Sequence, residues 1–170
     1  EPVYYRNAIV TLRTANPEDE VELILNTGGG QLDSTSSFIS AMQSCQATII
    51  GSLSGDCCSA GTMIALSCDK WNIGDDLTFM IHNIAFGVGG SAEKVKDHHD
   101  FIQSQNKTRM DRIYKGFLTE DEITNVIDNG KEYWFAAEET AERLDKFALN
   151  RQEQEESFHQ EQDDLLWDEN

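Results

Sequence analysis

A chain of 170 residues with 39% apolar content is long enough to close one hydrophobic core without disulfides or metal, and short enough to form one domain. Its 31 Asp and Glu against 13 Lys and Arg give a formal charge of −18, which repels nucleic acid and anionic lipid surfaces and argues against both as partners. Cys45, Cys57, Cys58 and Cys68 have neither CxxC nor Cys/His spacing, so no metal site is expected and the thiols fit a reducing, cytoplasmic compartment.

No signal-like segment and no apolar run of about 18 residues is present, so the expectation is a protein off the membrane. The chain starts at Glu1 without a methionine and enters a helical pattern almost at once, which implies that leading residues are missing. Tyr4, Ala8, Ile9 and Leu12 form an apolar stripe at helical spacing, ended by Asn16-Pro17 because the residue before proline is pushed out of the helical region. Residues 21–26 read as a short strand stopped by Gly28-Gly29-Gly30, and Leu32, Thr35, Phe38, Ile39 and Met42 then recur at helical intervals. Residues 47–50 give a second strand. Gly55-Asp56-Cys57-Cys58-Ser59-Ala60-Gly61 reads as a sharp, glycine-flanked turn opening a helix that runs to about Cys68.

Residues 71–73 and 77–81 supply further strands, and this alternation predicts an α/β domain with a mostly parallel sheet and right-handed crossovers. Ser91 can cap a long helix carrying Ala92, Val95, Ile102, Met110 and Ile113 along one side and ending near Tyr114, longer than a small domain needs. Thr119-Glu120-Asp121-Glu122 is a capping box, with Ile123, Val126 and Ile127 behind it and Gly130 as the stop. A short helix is expected from Ala137. From Arg151 onward eight acidic residues face one arginine, so residues 1–150 are read as the folded domain and 151–170 as an acidic, disordered tail.

Ser59 is the only hydroxyl in its turn. A serine at the start of a helix, among small residues, exposes its oxygen while the following N–H groups converge, which suits a nucleophile beside an oxyanion hole. His82 ends a strand-like run and can accept the serine proton. Each feature also has an ordinary reading: Ser59 as a helix cap, His82 as a satisfied buried group, the glycines as a flexible turn. His98 and His99 are adjacent in a helix, point to different faces and read as surface or interface groups rather than metal ligands.

Taken in order, these pieces resemble the ClpP-type caseinolytic serine protease family, over residues 4 to 144. The resemblance rests on the strand into Asn26-Thr27-Gly28-Gly29-Gly30, the turn through Ser59, Met80-Ile81-His82, and Trp134-Phe135-Ala136-Ala137-Glu138-Glu139. It implies a ClpP/crotonase-like fold of repeated β-β-α units, with a mostly parallel sheet flanked by helices and a protruding long helix. Ser59 would be the nucleophile, His82 the base and Glu132 the orienting acid, with Asp128 as the fallback. The N–H groups of Gly30 and Ala60 would form the oxyanion hole, and Gly29 and Gly30 would receive the substrate strand. The resemblance further implies a homo-oligomer of heptameric rings stacked as a tetradecamer, an AAA+ unfoldase partner and unfolded polypeptide as substrate. No cofactor is needed, and ATP would act through the unfoldase, because the chain has no GxxxxGK[ST] loop.

Several positions depart from the family pattern. Gly28 stands where proline is usual, Asn83-Ile84 follow the histidine where Gln-Pro is common, and Lys131-Glu132 occupy the place of a charged pair that couples rings. The family's N-terminal strand and axial loop have no counterpart in the sequence. These departures and the acidic tail suit a viral or accessory copy. The alternatives are a catalytically inert ring subunit and a hydrolase of related fold: a capsid-maturation protease, a signal-peptide-peptidase-like enzyme, or a crotonase-like acyl-CoA enzyme, which the Ser59 and His82 combination disfavours.

Overall fold

The computed structural model describes residues 2–167. In chain order these form α1 (Pro2–Thr14), β1 (Glu20–Thr27), α2 (Leu32–Gln43), β2 (Thr48–Cys58), α3 (Ala60–Ala65), β3 (Lys70–Ile73), β4 (Thr78–Ile81), α4 (Ala92–Tyr114), α5 (Glu120–Asn129), β5 (Tyr133–Ala136) and α6 (Ala137–Trp167). The expected α/β architecture holds. The five strands form one sheet in the order β1-β2-β4-β5, with β3 also paired to β2. β1, β3 and β4 run parallel to β2, and β5 is antiparallel to β4.

The central strand is longer than its sequence suggests. Residues 55–58, expected as a turn, continue β2 and pair with β4 through Asp56↔Thr78, Cys57↔Phe79 and Cys58↔Met80. Its earlier residues 50–53 pair instead with β3. Between the two partners the strand bends at Gly55, whose φ of +59° is open mainly to glycine. The register with β1 slips at the same place, from Leu25↔Leu53 to Thr27↔Cys57. Asn26 fills the bend, its Oδ1 accepting the Asp56 N–H at 3.2 Å. The turn therefore shrinks to Ser59, and α3 is one short helix rather than a run to Cys68.

Packing follows the strand alternation. Phe79 and Ile81 of β4 are fully buried, whereas Thr78 and Met80 on the opposite face are partly exposed. Phe117, in the segment joining α4 to α5, sets its ring against Phe79, Phe135 and Phe147 at centroid distances of 5.2, 5.7 and 6.5 Å. Burying each such ring contributes on the order of 1.5–3 kcal/mol.

Ser91 caps α4 as expected, its Oγ accepting the Lys94 N–H. Only Asn106, Met110, Ile113 and Tyr114 of that helix are buried, so its first half stands clear of the body. The Thr119 and Glu122 capping box closes both of its hydrogen bonds, at 3.1 and 2.9 Å, and Gly130 ends α5 at φ +62°.

Two further elements differ from expectation. β5 is not foreseen by the sequence pattern; its four residues, three of them aromatic, are favoured in strands but too few to display a period. α6 does not stop at the change of composition: it continues as helix through residues 151–167, where a disordered tail is expected. Glu, Gln, Arg and Leu propagate a helix well, and residues 137–167 contain neither Gly nor Pro. Arg151 ties the helix to the body, its Nη1 donating to the Cys68 carbonyl at 3.0 Å. Residues 168–170 of the expected tail lie outside the described residues. No helix of the described residues is long and apolar enough to cross a membrane.

Arg143 joins α6 to α5. Its guanidinium makes two bonds to the Glu122 carboxylate, at 2.9 and 3.0 Å, a third to the Phe117 carbonyl at 3.1 Å, and lies over the Phe135 ring. Burial by itself raises the Glu122 carboxyl, but the Arg143 bonds and charge, with the Thr119 amide, outweigh it and hold the group below its usual 4.5. A depressed folded-state value makes the pair's contribution fully present above about pH 4.5 and lost as pH falls through the lower folded value. Urea denaturation is therefore expected to find Glu122→Gln less stable than the parent by about 1–3 kcal/mol at neutral pH, with the two curves converging towards pH 3. Parallel pH profiles would refute the role given to this pair.

Candidate active site

Three chain segments end at the carboxyl edge of the parallel strands: the glycine loop after β1, Ser59 after β2 and His82 after β4. Ser59 occupies φ +54° and ψ −122°, and no other non-glycine described residue has a positive φ. Such a conformation costs on the order of 1–3 kcal/mol and persists only where its surroundings enforce it. Here the Ser59 N–H donates to the Met80 carbonyl at 2.7 Å, which holds the turn against β4. The side chain makes no cap bond to α3, so the ordinary reading of Ser59 as a helix cap fails. Its Oγ lies 2.7 Å from His82 Nε2, within reach for direct proton transfer.

The glycine loop is shaped by the serine. Gly29 has φ +108°, and a Cβ on it would meet Ser59 Cβ at 2.7 Å and the Cys58 carbonyl at 2.9 Å. Gly61 in α3 makes a second close approach to this segment, since a Cβ there would come within 2.6 Å of Thr27 Cγ2. The Gly29 N–H is bonded to Thr27 Oγ1 at 3.2 Å. Of the two glycines expected to receive substrate, Gly29 is thus committed to packing and to Thr27, while Gly30 opens onto the cleft.

That cleft, of about 320 Å³, is lined by Gly30, Ser59, Ala60 and His82, with apolar walls from Leu32, Met63 and Ile84. Ala60 is the first residue of α3, so its N–H has no carbonyl to meet within the helix. The two thiols before Ser59 are electrostatically silent. Burial pushes the Cys57 thiol up to about 12, and burial together with the Asp56 charge raises Cys58. Both remain protonated at neutral pH and offer no competing thiolate.

Glu132 is not brought to the imidazole. It is exposed, and its Oε2 accepts the Trp134 Nε1–H at 3.3 Å. Strand pairing ends at Ile81↔Tyr133, which leaves Glu132 outside the ladder with Trp134 as its same-face neighbour. Asp128, also exposed, lies in the last turn of α5. Among the described residues, Ser59 is the only hydrogen-bond partner of the His82 ring, and no cluster of three metal-ligating side chains occurs.

Two interactions around the site have no sequence signature. Asn83 Oδ1 accepts from Asn106 Nδ2 at 2.8 Å while its Nδ2 donates to the Ile127 carbonyl at 3.1 Å. Thr62 Oγ1 donates to the Ser59 carbonyl at 2.7 Å and lies 2.8 Å from the Tyr114 hydroxyl. Asn83 stands out in the sequence as a departure after the histidine, but its partners are set by tertiary packing.

The family model described as Clp protease matches residues 5–143. Over 127 residues the chain is 25% identical to the ATP-dependent Clp protease proteolytic subunit 2 of Pseudomonas aeruginosa, covering 74% of this chain and 63% of that protein. It is 25% identical over 136 residues to the ATP-dependent Clp protease proteolytic subunit of Leuconostoc citreum, covering 78% and 68%. Subunit 2 of Bifidobacterium longum is 22% identical over 138 residues, covering 77% and 64%. The chain thus spans roughly two thirds or slightly less of the length of these relatives.

The Gly29 contact yields a contrast within one loop. A methyl group placed on Gly28 would stand in open space at an ordinary φ, whereas Gly29 offers neither. Gly29→Ala is expected to cost about 1–3 kcal/mol and Gly28→Ala under about 0.5 kcal/mol, read from thermal unfolding of the two variants. Equal melting temperatures would show that the loop does not bear on Ser59 in this way.

Proposed function

The chain belongs to the Clp protease family, and from that premise we propose that it is a serine endopeptidase subunit with Ser59 as nucleophile and His82 as general base. The observation that carries this reading is the 2.7 Å separation of Ser59 Oγ and His82 Nε2 beside the Gly30 and Ala60 backbone. As Oγ bonds to the peptide carbonyl carbon, its proton passes to Nε2. The carbonyl oxygen becomes an oxyanion, stabilised by the N–H groups of Gly30 and Ala60; such donors are worth roughly 100- to 1,000-fold each. Collapse breaks the C–N bond, and the imidazolium returns the proton to the leaving amine. A water deprotonated by His82 then attacks the ester, releases the acid and restores the serine hydroxyl.

The imidazole needs an acceptor at Nδ1 to hold its tautomer. Continuing the β4–β5 register by one residue sets Glu132 across from His82, which supports a reading in which its carboxylate turns from Trp134 to the ring. Asp128 is the second carboxylate on this flank, next to Ile127, whose carbonyl already bonds Asn83. Glu132 is the proposed orienting acid and Asp128 its alternative. The contact of Glu132 with Trp134 also favours a second reading, an inert ring subunit in which the acid is not engaged.

Family membership further supports assembly into homo-oligomeric rings, proposed as two stacked heptamers that enclose the clefts. Exposed apolar side chains on both sheet edges and on α4, namely Ile24, Trp134 and Phe101, suit burial between subunits. Enclosure would restrict substrates to unfolded polypeptides or peptides, delivered by a separate AAA+ unfoldase. The proposed setting is the cytoplasm, with no cofactor.

A fluorophosphonate probe tests the chemistry. Labelling is expected at Ser59, abolished in Ser59→Ala and lowered at least about 1,000-fold in His82→Ala. Glu132→Gln is expected to slow labelling by about 10- to 10,000-fold, with Asp128→Asn taking that place if Asp128 is the acid. Absence of labelling in an assembled particle, sized by light scattering, would establish the inert ring subunit instead.

A further inference from the structure

The buried half of α4 reaches both members of the reacting pair through a single polar intermediary on each side. Asn106 is fully buried, and its Nδ2 donates to Asn83 Oδ1 at 2.8 Å. Asn83 directly follows His82, and the same Oδ1 accepts the Ile84 N–H at 2.8 Å while Nδ2 donates to Ile127 of α5. The peptide carrying His82 is therefore pinned between two helices. Eight residues further along α4, about 12 Å away, Tyr114 is 1% exposed and its hydroxyl meets Thr62 Oγ1 at 2.8 Å. The Thr62 hydrogen is given to the Ser59 carbonyl, so the Tyr114 O–H is the donor in that pair. Tyr114 thus fixes the hydroxyl that braces the strained Ser59 peptide.

We propose that Asn106 and Tyr114 are positioning residues, Asn106 acting through Asn83 on His82 and Tyr114 through Thr62 on Ser59. A buried asparagine is an expensive choice for packing alone: an apolar residue of similar size would avoid desolvating an amide. Neither group touches the cleft, whose lining includes Asn83 but neither Asn106 nor Tyr114. Their effect must therefore travel through hydrogen bonds. Met110 supplies an internal control, being 1% exposed on the same helix, one turn from Asn106, and without a polar tether.

The proposal rests on Ser59 and His82 being the reacting pair, and the test separates its failure from that of the pair. In the full chain, Asn106→Ala, Tyr114→Phe and Met110→Ala are compared for melting temperature, for fluorophosphonate half-saturation and maximal acylation rate against pH, and for the His82 ring resonances by NMR. Asn106→Ala is expected to lower the maximal rate at least 10-fold at unchanged half-saturation and to shift the His82 resonances. Tyr114→Phe is expected to lower the rate about 3- to 10-fold without that shift, and Met110→Ala to lower the melting temperature while leaving the rate per folded molecule within twofold. Loss of rate in Asn106→Ala no greater than in Met110→Ala, or His82 resonances identical to those of the parent, would overturn it. An unlabelled parent whose His82 resonances still move in Asn106→Ala would remove the hydrolase reading and leave the positioning intact.

Discussion

The site depends on one short hydrogen bond, from the Ser59 N–H to the Met80 carbonyl at 2.7 Å. A serine at φ +54° stores strain that a solvent-exposed turn would release, so the conformation persists only because β2 is already paired to β4 through Cys58↔Met80. That pairing in turn requires β2 to leave β3 and change partner, which the bend at Gly55 makes possible. Strand pairing, bend and strained serine form one chain of necessity. The side-chain oxygen is presented to His82 as its consequence.

Glycine enters this scheme as space as well as flexibility. Gly29 lets the β1 loop close on Ser59, and Gly61 lets the start of α3 close on Thr27 of the same loop, to distances that a methyl group would occupy. Burial keeps the neighbouring thiols of Cys57 and Cys58 protonated, which leaves the Ser59 hydroxyl beside two neutral thiols. Ser59 faces the cleft, whereas the two thiols adjacent to it in sequence are buried.

Much of this is legible in the residues. The capping box at Thr119 and Glu122, the stop at Gly130, the proline that ends α1 and the glycines after β1 act locally, and local chemistry is what a sequence displays. Ser59 is legible because it opens a helix from a turn of small residues, His82 because it closes an apolar strand run, and the family resemblance joins the two. The bend in β2 is not, since a glycine and an aspartate inside a strand look like a turn until the partner strand is known. β5 is too short to show a period, and the residues of α6 beyond 151 have a composition shared by disordered chains and solvated helices. The Asn83 and Asn106 bond spans 23 positions on two elements, and the turning of Glu132 towards Trp134 depends on where a ladder ends; neither leaves a mark in composition or spacing.

α6 begins at the residue after β5, at the edge where Thr78 faces Ala136, with no loop to decouple them. Its 31 residues extend for about 46 Å, and the sheet edge from which they rise is opposite the one that carries Ser59. The Ser59 and His82 pair thus sits at one end of the short β4 ladder and the start of α6 at the other, so length and charge along the helix are set apart from the geometry of the pair.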